Sequence, residues 1–461
     1  MSESAGEWLD RARILRARQD MVGAQGAMAR AHALAPDDPA VAFLHAQSCY
    51  ELGHPAAHLF ATVCRRWPDH LDAQRNHALA LASEGQAAKA LATLEAALAR
   101  HPAWADGHRV LGSLRWVNGD RHTFDASFAR AARAHPAQPA LWLGWFAAVA
   151  QVRDWPRAAA ILDEAERHLG ALPALIQARV FLAGESGDGA EMTRLLRQGG
   201  LPGSPLITIA RIRQALREGA PDAALALALP LAQQAPGSPL AGQVWPYVST
   251  CWRLLGDPRA QWLDGDPAFV RSVAVGLSTG ELAQLADLLR GLHRAQLPYP
   301  EQSVRGGTQT DRSVLLRHEP VLVRTREALL AATRDYIAAL PPPDPAHPLL
   351  SRPRDAVRIS GSWSVRLHGH GFNVTHSHPL GWISSAFYVA LPDPGDSPAP
   401  DAGHFHYGAP PQELGLDLAP YGTIAPMVGQ LVLFPSRLWH GTVPFDAGER
   451  LNIAFDVVPA S

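Results

Sequence analysis

Proline recurs at positions 36, 68, 102 and 136, and glycine keeps the same beat at 53, 85 and 119. The proline steps are 32, 34 and 34 residues. A period of that length is two short helices with their turns, so the chain is committed to a stack of helical hairpins. No hairpin of this size buries its apolar face alone, and each must pack on the next. Proline ends the second helix of a unit because it cannot continue the hydrogen-bond ladder.

The unit over residues 71–102 places Ala78, Ala90, Leu94 and Ala97 before Pro102. The next carries Gly112, Phe124, Phe128 and Ala131 and ends at Pro136. Small residues let the two helices of a hairpin approach, and large ones fill the groove against the neighbour. Residues 37–136 resemble tetratricopeptide repeats. After Pro136 the register loosens, but 141–152, 156–168, 171–183 and 223–234 still read as helices, here taken as degenerate repeats. Such an array either offers a concave groove to a protein or peptide partner, or spaces and packs with no ligand of its own.

The 461 residues carry 41 basic and 43 acidic side chains, a net charge of −2. That balance gives no electrostatic case for nucleic acid or an anionic membrane surface, and neither is expected as a partner. No run of about 18 apolar residues is present, so no transmembrane helix is expected. The N-terminal residues lack the basic stretch and apolar core of a secretory signal. Cys49, Cys64 and Cys251 form neither a disulfide framework nor a zinc pattern, which points to the cytoplasm.

Gly256-Asp257-Pro258 and Gly265-Asp266-Pro267 are turn signals, and a boundary is placed near residue 255. The expected domains are a helical array over 1–255 and a second domain over 256–461 with a β core from about 356. Helices are predicted over 278–295 and 320–339, the second ending at Pro341-Pro342-Pro343. Between them, 302–310 reads as a polar, glycine-containing loop whose Arg305 and Gln309 are candidates for contacting a substrate. From Ala356 the texture changes to short β-like runs at 357–359, 363–367, 383–391, 403–407, 430–434 and 451–457. Many short strands with turn punctuation suggest a sandwich or barrel.

The chemistry concentrates in that region. Residues two apart in extended chain face one side, so His376 and His378 can point at one metal ion. His440 can close a third position from a facing strand. Three protein ligands on one face leave room for a bidentate cosubstrate and O2, the logic of non-haem iron sites, although imidazole also suits zinc. Arg450, ten residues after His440, offers a planar cation that binds a carboxylate bidentately. Asn452 follows on the same strand face, and Tyr388 can reach a cosubstrate from its own strand. His404-Phe405-His406 is read as one face of a strand rather than a second metal pair.

His376-Ser377-His378-Pro379, Leu431-Val432-Leu433-Phe434-Pro435-Ser436, Trp439-His440-Gly441 and Arg450 with Ala454-Phe455-Asp456 resemble the 2OG-Fe(II) oxygenases, in particular the bacterial group with an N-terminal tetratricopeptide array. The resemblance implies an α+β chain, an all-α solenoid followed by a double-stranded β-helix, or jelly-roll, with flanking helices. It implies Fe(II) held by His376 and His440, 2-oxoglutarate held through Arg450, and O2 as co-reactant. It further implies hydroxylation, with a protein or peptide side chain as the substrate suggested by the array. The wider superfamily usually has Asp or Glu where this chain has His378. Iron then sits in a three-histidine site, or His376 and His440 hold it with water, or a carboxylate such as Asp446 or Asp401 completes the set. A scaffold with a degenerate, non-catalytic barrel and a small-molecule hydroxylase are the competing expectations.

Overall fold

The computed structural model describes residues 3–198, 204–234, 238–393, 395, 397 and 399–460. They form two compact units, and the units are not the two sequence segments divided near 255. One holds residues 1–144, 278–300 and 310–328; the other holds 145–277, 301–309 and 329–461.

The first unit begins with helix pairs, among them Pro39–Glu51 with Ala57–Arg66, Leu71–Ser83 with Ala87–Arg100, and Ala105–Val117 with Ala126–Ala134. The packing residues expected from the repeat lie where the pattern put them: Ala78, Ala90, Leu94, Ala97, Phe124, Phe128 and Ala131 are all buried. Gly53, Gly85 and Gly119 take φ of 86°, 80° and 95°, the left-handed geometry in which a side chain would be strained.

Helix ends leave backbone carbonyls without partners, and here a distant part of the chain satisfies several of them. Gln296 and Leu297 donate their backbone N–H groups to the Val117 carbonyl at 2.8 and 3.1 Å. His318 donates to the Leu52 carbonyl, and the Arg312 guanidinium to that of Tyr50. Trp116 Nε1 donates to the Pro298 carbonyl, and Ala295 and Tyr299 pack on the apolar cluster of the repeats. The expected helix over 278–295 is present as Thr279–Leu292, with a Ser278–Glu281 capping box.

In the second unit, helices Trp155–Leu169, Pro173–Ser186, Pro205–Arg217, Pro221–Ala232 and Pro239–Leu254 continue the hairpin pattern. Two antiparallel sheets follow. Strands β1 (Arg271–Ala274), β2 (Val304–Gln309), β3 (Val357–Asn373), β4 (Ile383–Ala390), β7 (Gln430–Pro435) and β9 (Arg450–Pro459) make a six-stranded sheet in the order β1-β7-β4-β9-β3-β2. Strands β5 (Phe405–Tyr407), β6 (Gly422–Ile424) and β8 (His440–Thr442) make the second, in the order β6-β5-β8.

The two runs expected at 357–359 and 363–367 are one strand, β3, with a bulge between Ile359 and Gly361 against β9. The stretch 302–310, read as a loop, carries β2. Its sequence has no apolar alternation; β2 is an edge strand that pairs with β3. A Cβ on Gly307 would lie 2.2 Å from the Arg366 carbonyl oxygen, so close approach of the backbones requires that glycine.

Cross-strand register sets the inner face of the large sheet. Tyr388 lies opposite Asn452, and Ser384 opposite Asp456. Val365 lies opposite Asn452, and Leu367 opposite Arg450. Residues directly opposite and two apart share a face. Arg450, Asn452 and Asp456 therefore share one face with Ser384, Ala386 and Tyr388 of β4 and Val432 and Phe434 of β7. Ala386, Tyr388, Phe405, Val432, Phe434 and Leu438 form one apolar cluster there.

The loop between β7 and β8 carries Arg437 inward. Its Nη2 donates to the Leu263 carbonyl at 2.6 Å and to Asp264 Oδ1 at 2.9 Å. Both side chains are buried, Asp264 at 3% exposure. Breaking one partner of such a pair leaves an uncompensated buried charge, which costs about 3–5 kcal/mol. Asp264→Ala is expected to destabilise by that order in urea unfolding, and joint replacement by Asp264→Leu with Arg437→Met to recover most of it. A loss below about 1 kcal/mol for Asp264→Ala would mean that the pair does not hold this loop.

Among the described residues no helix is long and apolar enough to cross a membrane. Cys49, Cys64 and Cys251 are free thiols.

Candidate metal centre

His376 lies just past β3 in extended chain and forms an isolated antiparallel bridge to His440. The His376 N–H donates to the His440 carbonyl at 2.9 Å and the reverse bond is 3.0 Å. The His378 N–H donates to the Ser436 carbonyl at 2.8 Å. Three backbone hydrogen bonds thus fix His376 and His378 against the loop and strand that carry His440.

The three side chains converge. One nitrogen from each of His376, His378 and His440 lies within 4.8 Å of the others, and theirs is the His/Cys/Asp/Glu cluster with metal-holding geometry found among the described residues. Ring centroids are 4.3 Å apart for His376 and His440, and 5.0 Å for the other two pairs.

Each ring has its Nδ1 engaged. His376 Nδ1 lies 2.7 Å from the Val374 carbonyl, and His440 Nδ1 2.9 Å from that of Leu438. A carbonyl oxygen only accepts, so each Nδ1 carries its proton and each Nε2 keeps a lone pair. His378 Nδ1 lies 2.8 Å from Asp456 Oδ1. Ser384 Oγ donates to the same oxygen at 2.6 Å. Carboxylate and carbonyl partners on the far nitrogen are what orient metal-binding imidazoles. Burial, with the His378 charge adding to it, pushes His376 down to about 3. Burial first, then His376 and His378, pushes His440 well below its ordinary value. Both rings are held neutral, the form that binds metal.

On the same face of β9 as Asp456 lies a buried cation with no anion. Arg450 is 2% exposed, and no carboxylate among the described residues pairs with it. Its Nη1 donates to the Gly403 carbonyl at 2.8 Å, and its guanidinium lies 5.0 Å from the Tyr388 ring. Arg450 Nε, the Tyr388 hydroxyl and Asn452 Oδ1 are buried without a hydrogen-bond partner. Burial lowers the Arg450 pKa, with Tyr388 opposing, and raises that of Tyr388, with Arg450 opposing. An ionic group kept here alone is costly, and a bound carboxylate supplies both the missing charge and acceptors for the orphaned donors. The donor set therefore fits 2-oxoglutarate, and three converging imidazoles fit a divalent transition metal.

The other sequence candidates fall elsewhere. Asp401 and Asp446 are exposed and stand outside the cluster. The carboxylate that does reach the triad is Asp456, on the far nitrogen of His378. Its place two and four residues beyond Ala454 and Asn452 on the inner face of β9 was readable from strand parity alone. His406 pairs across to Gly441. Gln309 lies opposite Val365, on the inner face at the sheet edge. Arg305 turns its Nη1 onto the carbonyls of Gln302 and Val304, at 2.9 and 2.7 Å. Trp382 and Trp439 are buried packing residues, and Trp363 meets the His378 ring at 5.4 Å.

Residues 361–456 match the family described as "Putative 2OG-Fe(II) oxygenase". No curated protein matches the chain. Among solved structures, an oxidoreductase of the 2OG-Fe(II) oxygenase family from Burkholderia pseudomallei is 19% identical, covers 44% of this chain and 89% of its own, and has a TM-score of 0.28. HygX from Streptomyces hygroscopicus, solved with nickel, 2-oxoglutarate and hygromycin B, is 12% identical over 41% of this chain and 83% of its own, with a TM-score of 0.27. A tetratricopeptide repeat protein from Parabacteroides merdae is 13% identical over 50% of this chain and 92% of its own, with a TM-score of 0.32. The span that matches the 2OG-Fe(II) oxygenase family model encloses His376, His378, His440 and Arg450, and an array of helical hairpins precedes it in sequence.

Proposed function

We propose that the protein is an Fe(II)- and 2-oxoglutarate-dependent dioxygenase that hydroxylates a side chain of a protein or peptide. The observation that carries this is the juxtaposition of three imidazoles, each with Nδ1 engaged, and a buried, unpaired arginine. His376, His378 and His440 would hold Fe(II) through Nε2. Arg450 would clamp the distal carboxylate of 2-oxoglutarate, and Tyr388 and Asn452 would hydrogen-bond it. When bound, iron, 2-oxoglutarate and O2 supply hydroxylation of a C–H bond coupled to formation of succinate and CO2.

The chain's own part is positional. The paired backbone bonds at His376 and His378 fix the ligand face. Asp456 keeps the His378 ring in the tautomer that presents Nε2. Val432, Phe434, Leu438 and Phe405 line the interior with apolar surface and exclude water from it. The helical array over 1–255 would recruit the substrate or a protein partner to the oxygenase domain over 256–461. The free thiols fit a reducing, cytoplasmic setting.

Anaerobic addition of Fe(II) and 2-oxoglutarate to the full-length apo-protein is expected to give a visible metal-to-ligand charge-transfer band. His378→Ala is expected to weaken it strongly if the site uses three histidines. No band from the intact protein, with both components in demonstrated excess, would overturn the reading.

A further inference from the structure

Gly242 lies near the start of helix Pro239–Leu254, in the same unit as the metal centre. Alanine is the better helix former, because glycine has more backbone freedom to lose. The surroundings explain the glycine. A Cβ on Gly242 would lie 2.5 Å from the Pro379 carbonyl oxygen and 3.2 Å from the Pro379 Cα and carbonyl carbon. All three are backbone atoms, so no side-chain rotation relieves the contact. Pro379 directly follows His378.

The segment after His378 is held from its other side too. The His378 N–H donates to the Ser436 carbonyl, and the Gly381 N–H to the His378 carbonyl at 3.2 Å. A Cβ on Gly381 would run into Ser436 Oγ and lie 3.2 Å from the Asp456 Cβ. Residues 378–381 thus run between the helix on one side and Ser436 and Asp456 on the other.

The same helix grips the segment that carries His440. The Tyr247 ring meets the Trp439 ring edge-on at 5.5 Å, and Trp439 precedes His440. Val244, Trp245, Tyr247 and Val248 pack with Trp439 in one apolar cluster. Three turns after Gly242, Arg253 donates to the Gly408 carbonyl, and the Gly408 N–H donates to the Trp439 carbonyl at 2.7 Å. One helix therefore touches both ligand-bearing segments.

We propose that helix Pro239–Leu254 forms one wall of the metal centre and that Gly242 is the positioning residue for His378. The missing side chain lets the helix lie against the Pro379 backbone and sets where the His378 ring stands. A Cβ at 242 would part the helix from the Pro379 carbonyl by about 0.8 Å, the shortfall from an ordinary C···O contact of about 3.3 Å. A ligand constellation tolerates about 0.5 Å. The inference rests on the reading of the three histidines as metal ligands, and it gives a helix of the array a task apart from recruiting a substrate.

The test is titration of metal-free, full-length protein with Co(II) alone, followed by its visible d–d absorption and by competition with a chelator. Gly242→Ala is expected to weaken Co(II) about tenfold, the scale of loss when the support of a metal ligand is removed, and to change the d–d spectrum. In a His378→Ala background the same substitution is expected to change neither, because the ring it displaces has gone. Gly242 is half-buried and alanine favours helix, so the metal-free variant is expected to unfold at the temperature of the intact protein. Gly280→Ala, in a helix with open space at the Cβ, is the control for the substitution itself. Co(II) affinity and spectrum unchanged by Gly242→Ala would overturn the proposal, whatever the unfolding temperature does. An equal loss with and without His378 would overturn it as well. Absence of Co(II) binding by the intact protein would instead overturn the metal centre itself, so the two failures are distinguishable.

Discussion

Arg450→Met should weaken 2-oxoglutarate binding by two to three orders of magnitude without lowering the stability of the apo-protein. The two halves of that expectation have one cause. Arg450 is buried, holds one hydrogen bond to the Gly403 carbonyl, and has no carboxylate partner among the described residues. A charge-assisted, desolvated contact is worth about 2–5 kcal/mol to the ligand that completes it. Without that ligand the same charge is an uncompensated cost, and an apolar side chain of similar volume is neutral or stabilising. The charge-transfer titration measures the first half, and thermal unfolding of the metal-free protein the second. If the variant bound 2-oxoglutarate normally, the clamp would lie elsewhere. If the apo-protein fell by several kcal/mol instead, Arg450 would be a structural residue.

Asp456 carries the second large effect. Its Oδ1 is shared by His378 Nδ1 at 2.8 Å and by the Ser384 hydroxyl at 2.6 Å, and Ser384 Oγ lies 2.9 Å from Ser436 Oγ. The carboxylate fixes which nitrogen of His378 would face a bound ion and would raise the basicity of that nitrogen. Losing such a partner typically costs 10–100-fold in metal affinity. Asp456→Ala is therefore expected to reduce Fe(II) affinity by that factor. Asp456→Asn, which keeps an acceptor for the Nδ1 proton but loses the charge, should recover part of it. Equilibrium competition with a chromophoric chelator reads both. Equal affinities across the series would remove Asp456 from the metal centre, and equal losses for Ala and Asn would make the charge, not the hydrogen bond, the relevant term.

These two residues also show how far the sequence carried the site. Its distance from His440 singles out Arg450 in the sequence, whereas nothing in the spacing gives Asp456 a role. Where the resemblance leads one to expect a carboxylate ligand the chain has His378, and the carboxylate of Asp456 lies on that histidine's Nδ1. Spacing cannot distinguish a ligand from a residue that orients one, because both lie on the same strand face. Only the cross-strand register, which puts Ser384 opposite Asp456, places the carboxylate beside His378 Nδ1.

The sequence by itself determined the elements whose signal is periodic. The proline and glycine beat marked the hairpins, and Ala78, Ala90, Leu94 and Phe128 are buried as that beat requires. The pairing of His376 with His378 is also legible, because parity in extended chain is a local rule, and both converge with His440. Tertiary structure decided what depends on distant partners. Strand β2 has no apolar alternation, and its partner is the neighbouring backbone of β3. The carbonyls at Leu52 and Val117 are satisfied by His318, Gln296 and Leu297, groups about 180 residues or more away along the chain. A hydrophobic period is written in every turn of a helix. Which far segment meets an unsatisfied carbonyl, and which carboxylate meets an imidazole, is set only when the chain has closed on itself.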